Sequence, residues 1–141
     1  MIGVLIVSHS NLSKGLRDSV EMIMGENDKF DVLGFYEDES FETLKEDFYQ
    51  KVVDLDSGEG VLVFVDLLGA TPYNVAAMCF KELQSENHNI RVVSGVNLAM
   101  VIESLGARSQ SDCTLDFIYQ NAIDSGVENI KEMTNVVNTG Y

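Results

Sequence analysis

The 141-residue sequence predicts an α/β domain with a doubly wound, mainly parallel sheet and helices on both faces, spanning residues 1–141 as a single unit. Three observations carry this expectation. Apolar runs and stretches of helical periodicity alternate along the chain. The runs Ile2–Ser8 and Val61–Asp66 are apolar almost throughout instead of alternating with polar residues, the pattern of strands buried on both faces. No repeat, low-complexity tract or proline-rich linker divides the chain, whose one proline, Pro72, stands at a helix start.

Ile2–Ser8 is the first strand. Leu12, Leu16, Val20 and Ile23 then recur at helical spacing, and Gly25 is placed to end that helix. Asp31–Tyr36 reads as a second strand. Ser40 is a candidate N-cap for a helix that turns Phe41, Leu44, Phe48, Val52 and Leu55 inward. A short loop, Asp56–Gly60, leads to the third strand, Val61–Asp66. Thr71-Pro72 predicts a sharp helix start, a hydroxyl N-cap followed by proline at the first helical position. Ile90–Val93 is a fourth strand, and Gly95-Val96-Asn97 leads into a helix over Ala99–Leu105. Another helix is expected over Leu115–Asp124. In the tail after Gly126, Val127, Ile130 and Met133 fit a helix turn, and an edge strand fits as well.

Composition removes several functions. With 23 acidic and 9 basic residues the net charge is −14, so neither nucleic acid nor an anionic membrane surface suits this chain as a partner. A partner with a basic docking face would be steered toward it, and the same charge also serves simple solubility. No apolar run reaches the ~20 residues of a spanning helix. The apolar start lacks a basic leader and a cleavage site, and the chain is expected in the reducing cytoplasm. Cys79 and Cys113 have neither metal nor redox spacing. Each sits among apolar positions of an expected helix and reads as a buried free thiol. No metal site and no cofactor is expected.

In doubly wound sheets the site lies at the carboxyl ends of the strands. There stand His9 after the first strand, Asp66 ending the third, Gly69-Ala70-Thr71-Pro72 behind it, and Ser94-Gly95-Val96-Asn97 after the fourth. A neutral histidine offers one ring nitrogen as nucleophile and the other as donor. Asp66 could accept that second N–H, fixing the tautomer and stabilising the imidazolium that grows during attack. The hydroxyls of Ser8, Ser10 and Thr71 crowd the same region, and helices starting after His9 and at Thr71 offer free backbone N–H groups to a phosphoryl group. Position alone leaves blander readings open, with His9 a partly exposed loop residue and Asp66 or Thr71 a plain cap. His88, between Asn87 and Asn89, reads as a solvated, inert loop residue. Met22, Met24, Met78 and Met100 read as helix-face or core filler. A Walker loop and a dinucleotide fingerprint are both absent. A receiver domain would need acidic residues where Ser8-His9 stands. The Ser8–Ser13 turn resembles a flavin phosphate loop only weakly, with no tryptophan to cover a ring.

Val7-Ser8-His9, Gly60–Asn74, Gly95–Met100 and Glu21–Glu26 together resemble the enzyme IIA subunit of the mannose family of the bacterial sugar phosphotransferase system. The resemblance covers Met1 to about Leu105 well. It implies a phosphorylated His9, a carboxylate partner in Asp66, and a phosphoryl contact from Thr71, where the family commonly has serine. Ser10, Gly69 and Ala70 complete the candidate phosphoryl-binding set. Ala70 replaces a common glycine, and Ala99 a common proline. The implied donor is the histidine-containing phosphocarrier protein and the implied acceptor enzyme IIB, with membrane sugar permease subunits engaged indirectly. Family members are homodimers that commonly exchange a C-terminal edge strand, which would favour a strand in the tail. Two neighbouring readings remain at this point, the phosphocarrier subunit of a dihydroxyacetone kinase system and a regulatory module of the same fold.

Overall fold

The computed structural model describes residues 1–140 of the chain. Four parallel strands form one sheet in the order β2-β1-β3-β4: β1 (Gly3–His9), β2 (Phe30–Phe35), β3 (Val61–Val65) and β4 (Ile90–Val93). The helices are α1 (Leu12–Met24), α2 (Phe41–Leu55), α3 (Thr71–Ser85), α4 (Leu98–Ala107), α5 (Leu115–Glu128) and α6 (Met133–Thr139).

The uninterrupted apolar runs of β1 and β3 are buried on both faces because each face carries its own core. Leu5, Val7, Val61, Val63 and Val65 pack with residues of α2 and α3. Val4, Ile6, Leu62 and Phe64 pack with residues of α1, α4 and α5. Each such side chain is worth about 1.5–3 kcal/mol of burial, so the two inner strands anchor the fold. Of the inward set expected on α2, Leu44, Phe48, Val52 and Leu55 are buried, and Phe41 packs partly against the same core. Ser40 caps that helix by accepting from Thr43 N–H at 3.1 Å. Gly25 closes α1 with φ +80° and donates its N–H to the Glu21 carbonyl at 2.9 Å.

Several expectations change in three dimensions. β2 lies one residue earlier, and α4 and α5 run longer than their apolar cores. The ends of the α1 stripe, Leu12 and Ile23, are exposed; only Val20 is fully buried. Met22 and Met78 are likewise exposed, so of the four methionines only Met100 is core. Thr71 is the first residue of α3, with Ala70 in the cap position and no side-chain cap bond, so the expected hydroxyl N-cap is not formed. Cys79 is buried, but Cys113 lies in the α4–α5 loop and is half-buried. The tail, open to both readings, is helical as α6 in the single chain.

His88 is also not a free loop residue. Its Nδ1 lies 2.9 Å from Oδ2 of Asp56, whose side chain is only 3% exposed. Asp56 further accepts from Gly58 and Gly60 N–H, so this pair ties the α3–β4 and α2–β3 loops together at the amino ends of the strands.

Candidate functional site

At the carboxyl end of the sheet, β1 and β3 are neighbours, so the residues that end them meet. His9 is the last residue of β1, and Asp66 follows β3 directly. Oδ2 of Asp66 accepts twice from His9, from its backbone N–H at 2.8 Å and from ring Nδ1 at 2.7 Å. Oδ1 accepts from Leu67 N–H at 2.9 Å. Burial acts most strongly on Asp66 and would raise its pKa. The hydrogen bonds from the His9 backbone, the His9 ring and Leu67 outweigh it and hold the carboxyl below the usual carboxylate range. A carboxylate can only accept, so Nδ1 carries a proton, and in the neutral ring the lone pair is on Nε2.

The His9 side chain is 45% exposed and that of Asp66 9%. The ring thus reaches solvent while the carboxylate beside it is sheltered. Nε2 has no hydrogen-bond partner among the described residues. The ring meets the edge of Phe35 at 6.4 Å between centroids. An open groove of about 600 Å³ beside it is lined by His9, Ser10, Phe35, Tyr36, Glu37 and Asp38.

The turn after His9 is tightly built. Ser10 takes the left-handed conformation, φ +51°, and donates its N–H to the Phe35 carbonyl at 2.7 Å. The crossing is possible because residue 34 is glycine: a Cβ there would stand 2.5 Å from the Ser10 carbonyl oxygen. Tyr36 donates its hydroxyl to Asn11 Oδ1 at 2.8 Å, pinning the far side of the same turn.

The loop after Asp66 has a different support. Gly69 has φ +77°, and its carbonyl accepts from Asn74 Nδ2 at 3.1 Å. Ala70 N–H reaches the Leu67 carbonyl at 3.4 Å. Thr71 is half-buried at the start of α3, and no hydrogen bond joins it to His9 or Asp66 among the described residues. The Ser94–Asn97 segment converges on the site through the backbone. Gly95 N–H donates to the Asp66 carbonyl and Val96 N–H to that of Val65, both at 3.2 Å. Asn97 caps α4 and ties it to Gly126 at the end of α5, so this motif is scaffold. Ser8, expected among the hydroxyls crowding the phosphoryl region, is instead fully buried and bonds the His9 carbonyl and Ser13 N–H; Phe35, Tyr36 and Asn74 had no expected role, because their partners are set by the crossing of loops. Among the described residues no three His, Cys, Asp or Glu side chains gather to hold a metal ion, and no helix is long and apolar enough to cross a membrane.

The pattern of the family described as "PTS system fructose IIA component" matches residues 3–122. The chain belongs to that family. It is 34% identical over 108 residues to the PTS system fructose-specific EIIA component of Bacillus subtilis, covering 77% of this chain and 71% of that protein. It is 30% identical over 132 residues to the PTS system mannose-specific EIIAB component of Escherichia coli. There the match takes in 94% of this chain but only 39% of the relative's length. The crystal structure of phosphotransferase system component EIIA from Streptococcus agalactiae superposes with a TM-score of 0.85 at 28% identity, over 96% of this chain and 99% of that one. The fold expected from the alternation of elements is therefore that of the PTS IIA proteins.

Proposed function

We propose that the chain is a phosphoryl carrier of a sugar phosphotransferase system, with His9 as the group that is phosphorylated. The observation that carries this reading is the His9–Asp66 pair: Nδ1 is held by a sheltered carboxylate, and Nε2 has no hydrogen-bond partner among the described residues, at the carboxyl end of a parallel sheet. Family membership makes phosphoryl relay the chemistry such a pair would serve.

In this reading the donor is the histidine-containing phosphocarrier protein. The Nε2 lone pair of His9 attacks its phosphoryl group. The new N–P bond forms as the donor's N–P bond breaks, and that electron pair returns to the donor's ring. The Nδ1 proton stays in place, and the Asp66 charge offsets the positive charge growing on the His9 ring. Ser10, Gly69, Ala70 and Thr71 are proposed to meet the phosphoryl oxygens, with the unpartnered Thr71 hydroxyl best suited to donate. The second transfer is the reverse step, to a nucleophile of enzyme IIB. Membrane permease subunits then couple the relay to sugar uptake, and the carrier works in the cytoplasm where its partners are. The chain is proposed to act as a homodimer. Strand β4 has one unpaired edge, beside a groove of about 220 Å³ lined by Tyr73, Ala76, Phe80, Ile90 and Val92, which suits an exchanged segment. The exposed Ile130, Met133 and Val137 of the tail are apolar surface for such an exchange.

The test is labelling with phosphoenolpyruvate and the general phosphotransferase proteins, followed by mapping of the acid-labile phosphate. Modification at His9 alone, and none in a folded His9→Ala variant, is the expected result. Label at His88, or undiminished labelling of His9→Ala, overturns the reading.

A further inference from the structure

We infer that Ser8 is a positioning residue for His9, acting on the ring through the backbone. The inference rests on the phosphoryl-carrier reading for its functional meaning, but its geometry stands apart from it.

Ser8 is a fully buried polar residue that follows the apolar run of β1 and precedes His9. Its hydroxyl donates to the His9 carbonyl at 3.2 Å and accepts from Ser13 N–H at 2.7 Å. It therefore bridges both ends of the His9–Leu12 turn from inside. Asn11, the residue in the cap position of α1, makes no side-chain cap bond, so the Ser8 hydroxyl does that work from three residues earlier. The backbone of His9 is consequently held at two points. Its N–H is bound by Asp66 and its carbonyl by Ser8.

Those two bonds bracket the Cα from which the imidazole hangs. Asp66 fixes the near end of the ring, but its two bonds from His9 share one oxygen. The peptide after His9 is held on its N–H side by the Phe35 carbonyl, which accepts from Ser10 at 2.7 Å, and Ser8 holds its carbonyl side. Ser8 also anchors α1, because Ser13 in turn donates its hydroxyl to the Leu33 carbonyl at 3.2 Å. The direction of Nε2 is thus tied to the strand core through one hydroxyl. An error of about 1 Å in a reacting group can cost roughly 100-fold in rate, so a loosened turn should be visible in transfer.

The experiment uses the full chain with Ser8→Ala, and Ser104→Ala as a control. Ser104 is another fully buried serine bonded to a backbone carbonyl, but it lies in α4, away from His9. Two readouts are taken on folded protein at one temperature: nitrogen NMR shifts of the His9 ring, and the rate of phosphoryl transfer. Ser8→Ala should reduce the population with the proton on Nδ1 and slow transfer about 10-fold or more, within the range that misplacement produces. Ser104→Ala should lower the melting temperature and leave both readouts at wild-type values. Ser8→Cys keeps a weak donor on a slightly larger side chain, and should fall between alanine and wild type; it also serves if Ser8→Ala does not fold. Wild-type ring shifts and wild-type transfer in the folded variant refute the inference and leave Ser8 a plain helix cap. The ring shifts need no phosphoryl donor. A changed tautomer in a chain whose His9→Ala variant is still phosphorylated would uphold the positioning and overturn the carrier reading instead.

Discussion

Asp66→Asn isolates what the charge beside His9 contributes. The carboxylate accepts three hydrogen bonds, two at Oδ2 from His9 and one at Oδ1 from Leu67. An amide has one accepting oxygen. Turned toward His9, it leaves its NH₂ facing Leu67 N–H; turned the other way, it faces the His9 backbone donor. Either way at least one backbone donor loses its partner, at about 1–3 kcal/mol. At about 3 °C per kcal/mol for a chain of this size, the melting temperature should fall by roughly 3–9 °C, and the protein stays folded at room temperature. The rate should change more. Unit charges 2.7 Å apart attract by roughly 6 kcal/mol at an effective dielectric of about 20. His9 is 45% exposed, so solvent screens much of this, and only part of the ring charge exists in the transition state. A quarter of that attraction is about 1.5 kcal/mol, or roughly tenfold in rate. Transfer from the phosphocarrier protein, followed by rapid quench and quantified per folded molecule, should therefore slow at least about tenfold. Transfer at the wild-type rate in the folded variant refutes the charge argument, and a variant that does not fold refutes the view that Asp66 serves the ring before the fold.

Four further outcomes follow from the same geometry. Because Asp66 and Asp56 both have lowered pKa values, each adds stability that is present above the unfolded carboxyl value of about 3.9 and is lost as pH falls through the folded value; acid unfolding followed by circular dichroism should be less pH-sensitive in Asp66→Asn than in the wild type. Thr71→Ala should change stability by less than about 0.5 kcal/mol, since Ala70 holds the cap position, yet it should slow labelling of His9. Thr71→Asp should fold, because an acid suits the first turn of a helix, and should nearly stop labelling; stable Thr71→Asp labelled at the wild-type rate refutes a phosphoryl contact. His88→Ala removes the one side-chain partner of the sheltered Asp56 carboxylate and leaves it only the Gly58 and Gly60 N–H groups; it should cost about 1–3 kcal/mol in denaturant unfolding while leaving transfer unchanged.

How much of this was legible in the sequence depends on how far apart the interacting groups lie. The two inner strands were written in the composition of Ile2–Ser8 and Val61–Asp66, because a strand covered on both faces needs apolar side chains at every position. His9 and Asp66 could be picked out because each is a polar residue placed where such a run stops. Thr71-Pro72 signalled a helix start correctly but misplaced the cap by one residue, since the Ala70 backbone, not a hydroxyl, occupies the turn.

What only the tertiary structure decided are the contacts between segments that the sequence keeps apart. The sequence of Asn87-His88-Asn89 carries no sign of Asp56, 32 residues earlier, yet the adjacency of β3 and β4 brings their preceding loops together. Ser8 reads as one of three hydroxyls at the site until the turn folds back and places its hydroxyl inside, between the His9 carbonyl and Ser13 N–H. The apolar residues of the tail fit either helix or strand, and in the single chain local hydrogen bonding favours helix, with Glu132 capping Thr134 and Asn135. Local patterning is set by which faces are buried, and that is carried in each segment's own residues. The orientation of a ring nitrogen is set by partners from β3 and from the turn before α1, and those exist only once the sheet has closed.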